Sequence, residues 1–177
     1  MILVYTHQIT ARLRYVFTHF FETYTENELE ITDVLETFIA HSGPKFSYTT
    51  QELSNEYFVH ANPLLFEQGV RPYDIQVKRW EDTPVFFSCD DSSAIPYDIF
   101  AATFYMLSRY EEHVPHLKDG MDRFSTHGSL AAMGKFTDKP VVDIWAKLFL
   151  THFSDAYPEV VIKPPTRQIQ TILEVPE

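Results

Sequence analysis

Ile2-Leu-Val-Tyr-Thr6 and Thr10-Ala-Arg-Leu-Arg-Tyr-Val-Phe-Thr-His-Phe-Phe-Glu-Thr-Tyr24 are separated by only three residues. The first run contains strand-forming residues only and predicts a buried β-strand. The second run has the pattern of an amphipathic helix, which Thr10 can cap. Its apolar positions are Leu13, Val16, Phe17, Phe20, Phe21 and Tyr24. A strand followed at once by such a helix is typical of an α/β layer.

The rest of the chain continues this alternation of strands and helices. We predict an apolar piece at 29–34, a helix at 35–41 that Gly43-Pro44 ends, and later helices at 97–113 and 141–153. Strands are predicted at 45–49, 56–61, 74–80, 84–88 and 160–162, with residues 81–84 as a hairpin loop.

These elements predict an α/β (or α+β) fold with a mixed β-sheet and three main amphipathic helices, 10–24, 97–113 and 141–153, packed on it. We expect the sheet to include both 2–6 and the 74–88 hairpin. Residues 1–163 are expected to form a single domain, and 164–177, which begin within Lys163-Pro-Pro165, an exit linker or strand.

The composition excludes several classes of partner. The chain has 177 residues, 25 acidic against 14 basic side chains and a net charge of −11. This balance argues against nucleic acid and against an anionic membrane surface. No apolar segment approaches the roughly 20 residues of a membrane-spanning helix, and no signal peptide is evident, so we expect a cytoplasmic protein.

The sequence offers little support for catalysis. Cys89 is the single cysteine and has no nucleophile motif around it, so a structural thiol is the better interpretation. Gln76-Val-Lys78, with Asp74 or Glu56 as an upstream acid, resembles half of a metal-dependent nuclease core. The acid is poorly placed for that role, however, and an exposed lysine explains the pattern better.

The richest polar cluster follows the predicted helix 97–113. Glu112 and His116, with His113 and Asp119 nearby, could form a metal or acid–base site, but Pro115 breaks the helical spacing that such a pair needs. A simpler interpretation is that Arg109 pairs with Glu111 or Glu112 and braces the loop. A ligand or partner surface remains the third alternative. The candidate surface comprises Arg109, Tyr110, Glu111, Glu112, His116, Asp119 and Arg123.

Several motifs, spread in order over most of the chain, resemble an uncharacterised domain of Bacteroidetes proteins. They are Met1-Ile-Leu-Val-Tyr-Thr-His-Gln-Ile-Thr-Ala-Arg-Leu-Arg-Tyr-Val16, Phe38-Ile-Ala-His-Ser-Gly-Pro-Lys-Phe-Ser-Tyr48, Leu65-Phe-Glu-Gln-Gly69, Asp98-Ile-Phe-Ala-Ala-Thr-Phe-Tyr-Met-Leu-Ser-Arg-Tyr-Glu-Glu112 and Pro140-Val-Val-Asp-Ile-Trp145. In the family that they resemble, this domain precedes a polysaccharide deacetylase domain of the NodB type.

The resemblance implies that catalysis belongs to the downstream domain, where aspartates and histidines hold a divalent metal. Where the family would read Thr-Ile-Asp-Val-Asp, this chain has Leu173, Glu174 and Pro176. No catalytic or metal-binding residue is therefore assigned here, and no cofactor is expected in this chain. The expected function is a non-catalytic accessory domain whose partner is a deacetylase-type domain or protein.

Two other classes of function stay open. The first is a module that binds a glycan or a nucleotide-sugar head group, in which Trp80 or Tyr110 would line a pocket with Arg109 and Arg123. The second is a self-contained metal-dependent hydrolase or nuclease, which would need converging carboxylates.

Overall fold

The structure is a computed structural model that describes residues 1–164 and Thr171. Its main sheet contains four parallel strands: β1 (Ile2–Tyr5), β2 (Leu29–Thr32), β3 (Lys45–Thr49) and β4 (Phe58–His60). Their order across the sheet is β2-β1-β3-β4. Ile2, Leu3 and Val4 are all buried, as is usual for a parallel strand that is covered on both faces.

Five α-helices accompany these strands in the described residues. They are α1 (Ala11–Tyr24), α2 (Leu35–Ala40), α3 (Ile99–Leu107), α4 (Leu130–Met133) and α5 (Val141–Ala156). Thr10 caps α1 as predicted, because its side-chain oxygen accepts a hydrogen bond from the amide of Leu13 at 3.1 Å. The predicted α/β class with three main helices is confirmed. Among the described residues, none of the helices has both the length and the apolar character needed to span a bilayer.

The core between the sheet and helices α1, α3 and α5 consists largely of aromatic rings. Phe100 of α3 is fully buried at its centre. Six other rings have centroids within 6.3 Å of the Phe100 ring: Phe17, Phe20, Phe21, Phe46, Tyr48 and Phe149. Helix α3 therefore lies at the centre of the aromatic core.

The opposite face of the sheet has a thinner cover. Ile2 and Val4 of β1 belong to the aromatic core, whereas the ring of Tyr5 packs against Phe38 of α2 at 5.5 Å. Since alternate strand residues point to opposite faces, the six-residue helix α2 covers the second face.

The hairpin lies elsewhere than expected. β5 (Lys78–Trp80) and β6 (Thr83–Val85) form a separate two-stranded antiparallel sheet, so the expectation that this hairpin joins the sheet of residues 2–6 is wrong. Glu81 and Asp82 both have positive φ, as a tight two-residue hairpin turn requires. The hairpin packs on the helical layer instead, where the Trp145 indole donates a hydrogen bond to Pro84 O at 2.9 Å.

The helix predicted over 97–113 is shorter than expected. α3 ends at Leu107, and Arg109 then enters the left-handed region with φ 50°, which stops the helix before a 3₁₀ turn at Tyr110–Glu112. The strand predicted at 160–162 is reduced to one bridge between Thr25 and Ile162. Of the predicted exit linker, residues 165–170 and 172–177 lie outside the described residues. The second of these ranges includes Leu173, Glu174 and Pro176.

Candidate functional site

The turn after α3 places Arg109 and Glu112 side by side. Arg109 Nε donates a hydrogen bond to Glu112 Oε1 at 2.6 Å, and its terminal NH2 group contacts the same oxygen. The predicted pairing of Arg109 with a glutamate of this turn is thus confirmed for Glu112. The Arg109 side chain is 72% exposed, so water weakens the attraction, and such a pair stabilises the fold by about 0–1 kcal/mol.

A second ion pair lies in the loop that follows. Asp119 accepts hydrogen bonds from the amides of Met121 and Arg123 at 2.8 and 3.0 Å, and from Arg123 Nε at 3.0 Å. Hydrogen bonds from the amides of Arg123 and Met121, and then from the Arg123 side chain, lower the pKa of the Asp119 carboxyl. The carboxylate therefore remains ionised and holds the loop closed.

These two ion pairs border one open groove of about 520 Å³. Its other walls come from residues 124–127, which include Phe124 and His127. Each guanidinium in the groove already has a carboxylate partner, so the groove presents balanced charge. An anionic ligand would have to displace Glu112 or Asp119 to reach an arginine.

The other predicted residues of this surface point elsewhere. The Tyr110 hydroxyl is bound to the backbone of Arg71, accepting from its amide at 3.0 Å and donating to its carbonyl at 3.2 Å. Glu111 accepts a hydrogen bond from the amide of Leu130 at 2.7 Å, at the first turn of α4. His116 Nδ1 lies 2.8 Å from Val114 O, a carbonyl that can only accept a hydrogen bond. The Tyr110 side chain therefore ties the turn after α3 to the backbone of Arg71, and the Glu111 side chain ties it to the start of α4. The His116 side chain makes a contact within its own loop.

The described residues contain no group of three or more His, Cys, Asp or Glu side chains that could hold a metal ion. The composite pocket considered from the sequence does not form either. Trp80 stacks on His152 with ring centroids 5.3 Å apart, and neither Trp80 nor Tyr110 lines the groove between Arg109 and Arg123.

A second polar cluster lies at the carboxyl ends of β3 and β4, around the buried carboxylate of Asp98. One oxygen accepts hydrogen bonds from the amides of Phe100 and Ala101 at 3.0 and 2.9 Å, which caps α3. The other accepts from the Tyr48 hydroxyl and from the amide of Asn62, both at 2.6 Å. Burial raises the pKa of Asp98 to about 6, although these four hydrogen bonds act in the opposite direction.

A histidine–aspartate pair lies near this cluster. His60 Nδ1 is 2.6 Å from Asp90 Oδ2, and Ser92 donates a hydrogen bond to the other Asp90 oxygen at 2.8 Å. Hydrogen bonds from Ser92 and then His60 lower the pKa of Asp90. The Cys89 thiol contacts the His60 carbonyl oxygen at 3.4 Å. Burial, followed by the nearby Asp98 charge, raises the pKa of this thiol, which disfavours the nucleophilic thiolate.

Both clusters lie within a stretch of the chain that matches a known family. Residues 2–158 match the model of a family of unknown function, DUF7033. The chain belongs to this family. Comparisons with curated proteins and with solved structures gave no match.

In this DUF7033 domain, the sequence-based interpretation missed the Asp98 cluster. One part was detectable, because Asp98 directly precedes the apolar helical run 99–107 and aspartate is a preferred helix cap. The contact with Tyr48, however, joins residues that are 50 positions apart, and no local pattern indicates it.

Proposed function

We propose that this protein is a non-catalytic accessory domain that supports or orients a polysaccharide-deacetylase-type domain or protein. The resemblance of the sequence motifs to the domain that precedes such enzymes in Bacteroidetes supports this proposal. In this arrangement the divalent metal belongs to the deacetylase, carbohydrate is contacted mainly there, and the assembly works in the cytoplasm.

The structural observation that supports an orienting role is the anchoring of residues 160–163. Glu26 donates a backbone hydrogen bond to Val161 O at 3.0 Å, and the Val161 amide donates to Asn27 Oδ1 at 2.8 Å. Lys163 continues the contact with a backbone hydrogen bond to Tyr24 O at 2.8 Å and a side-chain hydrogen bond to Glu22 O at 2.5 Å. This segment is tied to the end of α1 and the start of β2.

Such anchoring matters because two linked domains move relative to each other unless their junction is restrained. Each hydrogen bond of this kind stabilises the bound arrangement by about 0.5–1.5 kcal/mol. Four of them, together with buried Val160, hold the exit point against the rigid core. A domain attached after this segment would therefore be joined to the core at a fixed position.

The absence of turnover in this chain can be tested directly. We expect the purified protein to release no acetate from chitooligosaccharides, with or without added Zn²⁺, Co²⁺ or Mn²⁺. Acetate release that is lost with Glu112→Ala or His116→Ala would refute the non-catalytic assignment.

The orienting role needs the protein encoded by the natural gene, so the coding sequence after Glu177 is determined first. With a deacetylase domain present, Asn27→Ala should lower kcat/KM for chitooligosaccharide deacetylation several-fold, because Val161 loses its side-chain acceptor. Gln68→Ala, at an exposed amide side chain outside the α2 groove and the groove between Arg109 and Arg123, is the matched control. Equal kcat/KM values for the Asn27→Ala variant and the unmodified protein would refute an orienting role for the anchored segment.

One observation favours the second candidate, a nucleotide-sugar or glycan module: Arg109, Arg123 and the aromatic residue Phe124 line the same groove. It ranks below the accessory role because both guanidinium groups are paired with carboxylates. Calorimetric titration with a uridine diphosphate sugar tests it. Binding that is lost in both Arg109→Ala and Arg123→Ala would favour this module over the accessory role.

A further inference from the structure

The thinly covered face of the sheet contains an apolar groove that the proposed function does not use. It lies beside α2, has a volume of about 380 Å³, and is named here the α2 groove. Its walls include Leu35, Phe38, Ile39, Leu53, Glu56 and Tyr157. Phe38 forms its buried floor against Tyr5 of the sheet.

The apolar side chains at its mouth are unusually exposed. Leu35 is 37% exposed, Ile39 67% and Leu53 41%. Single exposed apolar residues are normal on protein surfaces, but several that border one groove mark an interaction site.

Both walls of the α2 groove are held in place by polar side chains. Lys45 Nζ donates hydrogen bonds to three carbonyl oxygens at the end of α2, those of Phe38, Ile39 and His41, at 2.9, 3.2 and 2.6 Å. On the other wall, the Glu56 carboxylate accepts hydrogen bonds from the amide of Leu53 at 2.9 Å and from the amide of Ser54 at 2.8 Å. A partner would therefore meet a groove that needs little ordering on binding, and this favours affinity.

The charge around the α2 groove is acidic. Asp33, Glu36 and Glu52 are exposed beside the apolar residues, and Glu56 lines the groove itself. Lys45 also lines the groove and keeps its positive charge while it donates to the carbonyls of α2, and the Glu56 carboxylate balances that charge. The net negative charge beside the groove therefore comes from Asp33, Glu36 and Glu52. The chain as a whole carries a charge of −11, so a second copy of this acidic face is a poor electrostatic match.

We propose that the α2 groove binds an amphipathic helix of another polypeptide, one that presents apolar side chains flanked by lysine or arginine. An apolar groove with a charged rim is the usual receptor for such a helix, because the apolar face fills the groove and the basic residues pair with the rim. This inference is independent of the accessory role and stands if that role fails.

The test uses two synthetic 14-residue helical peptides with leucine at the same positions, one with lysine and the other with glutamate at the remaining positions. Calorimetry measures their affinity for the intact protein in 150 mM salt, and amide chemical shifts locate the binding surface. We expect the leucine–lysine peptide to bind, with shift changes concentrated at residues 34–40 and 53–56. The leucine–glutamate peptide should bind at least tenfold more weakly.

Variants distinguish the α2 groove from general attraction to an acidic protein. Ile39→Asp and Leu53→Asp should each raise the Kd for the leucine–lysine peptide at least tenfold. Met121→Asp, at a methionine that is 69% exposed outside the groove, adds the same charge and should change Kd less than twofold. Since all three positions are exposed, the variants should fold, and circular dichroism checks this.

Three outcomes would overturn the proposal. The first is an unchanged Kd in Ile39→Asp and Leu53→Asp, and the second is equal binding of both peptides. The third is a dimer of the unmodified protein in sedimentation that Ile39→Asp abolishes, since that result would assign the groove to a second copy of this chain.

Discussion

Replacement of Asp98 by asparagine removes the charge at the centre of the buried cluster and almost preserves its shape. Asp98 is 1% exposed and accepts four hydrogen bonds through its two oxygens. At pH 4 the Asp98 carboxyl is mostly protonated, and its hydroxyl oxygen can still accept a hydrogen bond, whereas asparagine offers only one acceptor oxygen. If that oxygen keeps the helix amides, the new NH2 group faces the Asn62 amide, and two buried donors then oppose each other. An unsatisfied buried donor costs about 1–3 kcal/mol, so we expect Asp98→Asn to be less stable than the unmodified protein by about that amount at pH 4.

The pH dependence of this difference gives a sharper test. The pKa of Asp98 is raised from 3.8 to about 6, so the folded state binds the proton more tightly than the unfolded state does. The corresponding stabilisation is fully present below pH 3.8 and is lost as the pH rises through about 6. Between pH 4 and pH 7 the unmodified protein should therefore lose about 2 kcal/mol relative to Asp98→Asn, and the stability gap should shrink by that amount.

Urea denaturation at several pH values, followed by tryptophan fluorescence, to which Trp80 and buried Trp145 contribute, and by circular dichroism, measures this gap. Titration of all other groups is common to both proteins and cancels in the difference. Asp90→Asn is the matched control with the opposite sign, because the pKa of Asp90 is lowered and its stabilisation is lost as the pH falls. A gap between the unmodified protein and Asp98→Asn that stays constant or widens from pH 4 to pH 7 would refute the reasoning.

Three further predictions concern the core, the turn after α3 and the thiol. Phe100→Ala should destabilise the fold by about 3–5 kcal/mol in urea denaturation, because its ring fills the centre of the aromatic core; a loss below 1 kcal/mol would contradict that position. Arg109→Gly should be more stable than Arg109→Ala by about 1 kcal/mol, since both variants lose the pair with Glu112 but only glycine adopts the left-handed conformation freely. Equal stabilities of the two variants would show that this backbone conformation carries no cost. Cys89 should react slowly with a disulfide reagent in the native protein and rapidly in urea, and fast stoichiometric labelling of the native form would disprove its protected state.

The elements with strong local patterns were predictable from the sequence. The strand at 2–6 and the helices at 10–24 and 141–153 depend on apolar periodicity, which burial of one face imposes directly. The pairing of the strands was not predictable, because parallel neighbours such as β1 and β3 are brought together by tertiary packing rather than by a turn. The end of α3 was missed for a local reason: Arg109 adopts a conformation that glycine normally signals, so the apolar pattern seemed to continue to Tyr110.

The candidate surface likewise contains some contacts that the local sequence predicts and others that depend on tertiary packing. The pair between Arg109 and Glu112 joins neighbours three positions apart and could be anticipated from spacing alone. The hydrogen bond between Glu111 and the amide of Leu130 could not be anticipated, because it depends on where the short helix α4 lies. The hydrogen bonds of Asp98 with Tyr48 and with the amide of Asn62 could not be predicted for the same reason, since these donors are distant from Asp98 along the chain.

The order of elements along the chain also affects how the protein is synthesised. In the part of the chain that the structure describes, the four strands of the main sheet precede residue 61, whereas α3 and α5, which cover one of its faces, begin only at Ile99 and Val141. At about 5–20 residues per second of translation, several seconds separate emergence of the last strand from emergence of the last covering helix. During that interval the aromatic side chains of Phe46 and Tyr48 have no partner from α5 or α3. The nascent chain is therefore exposed to misassociation on the ribosome, and chaperone binding in that interval would protect it.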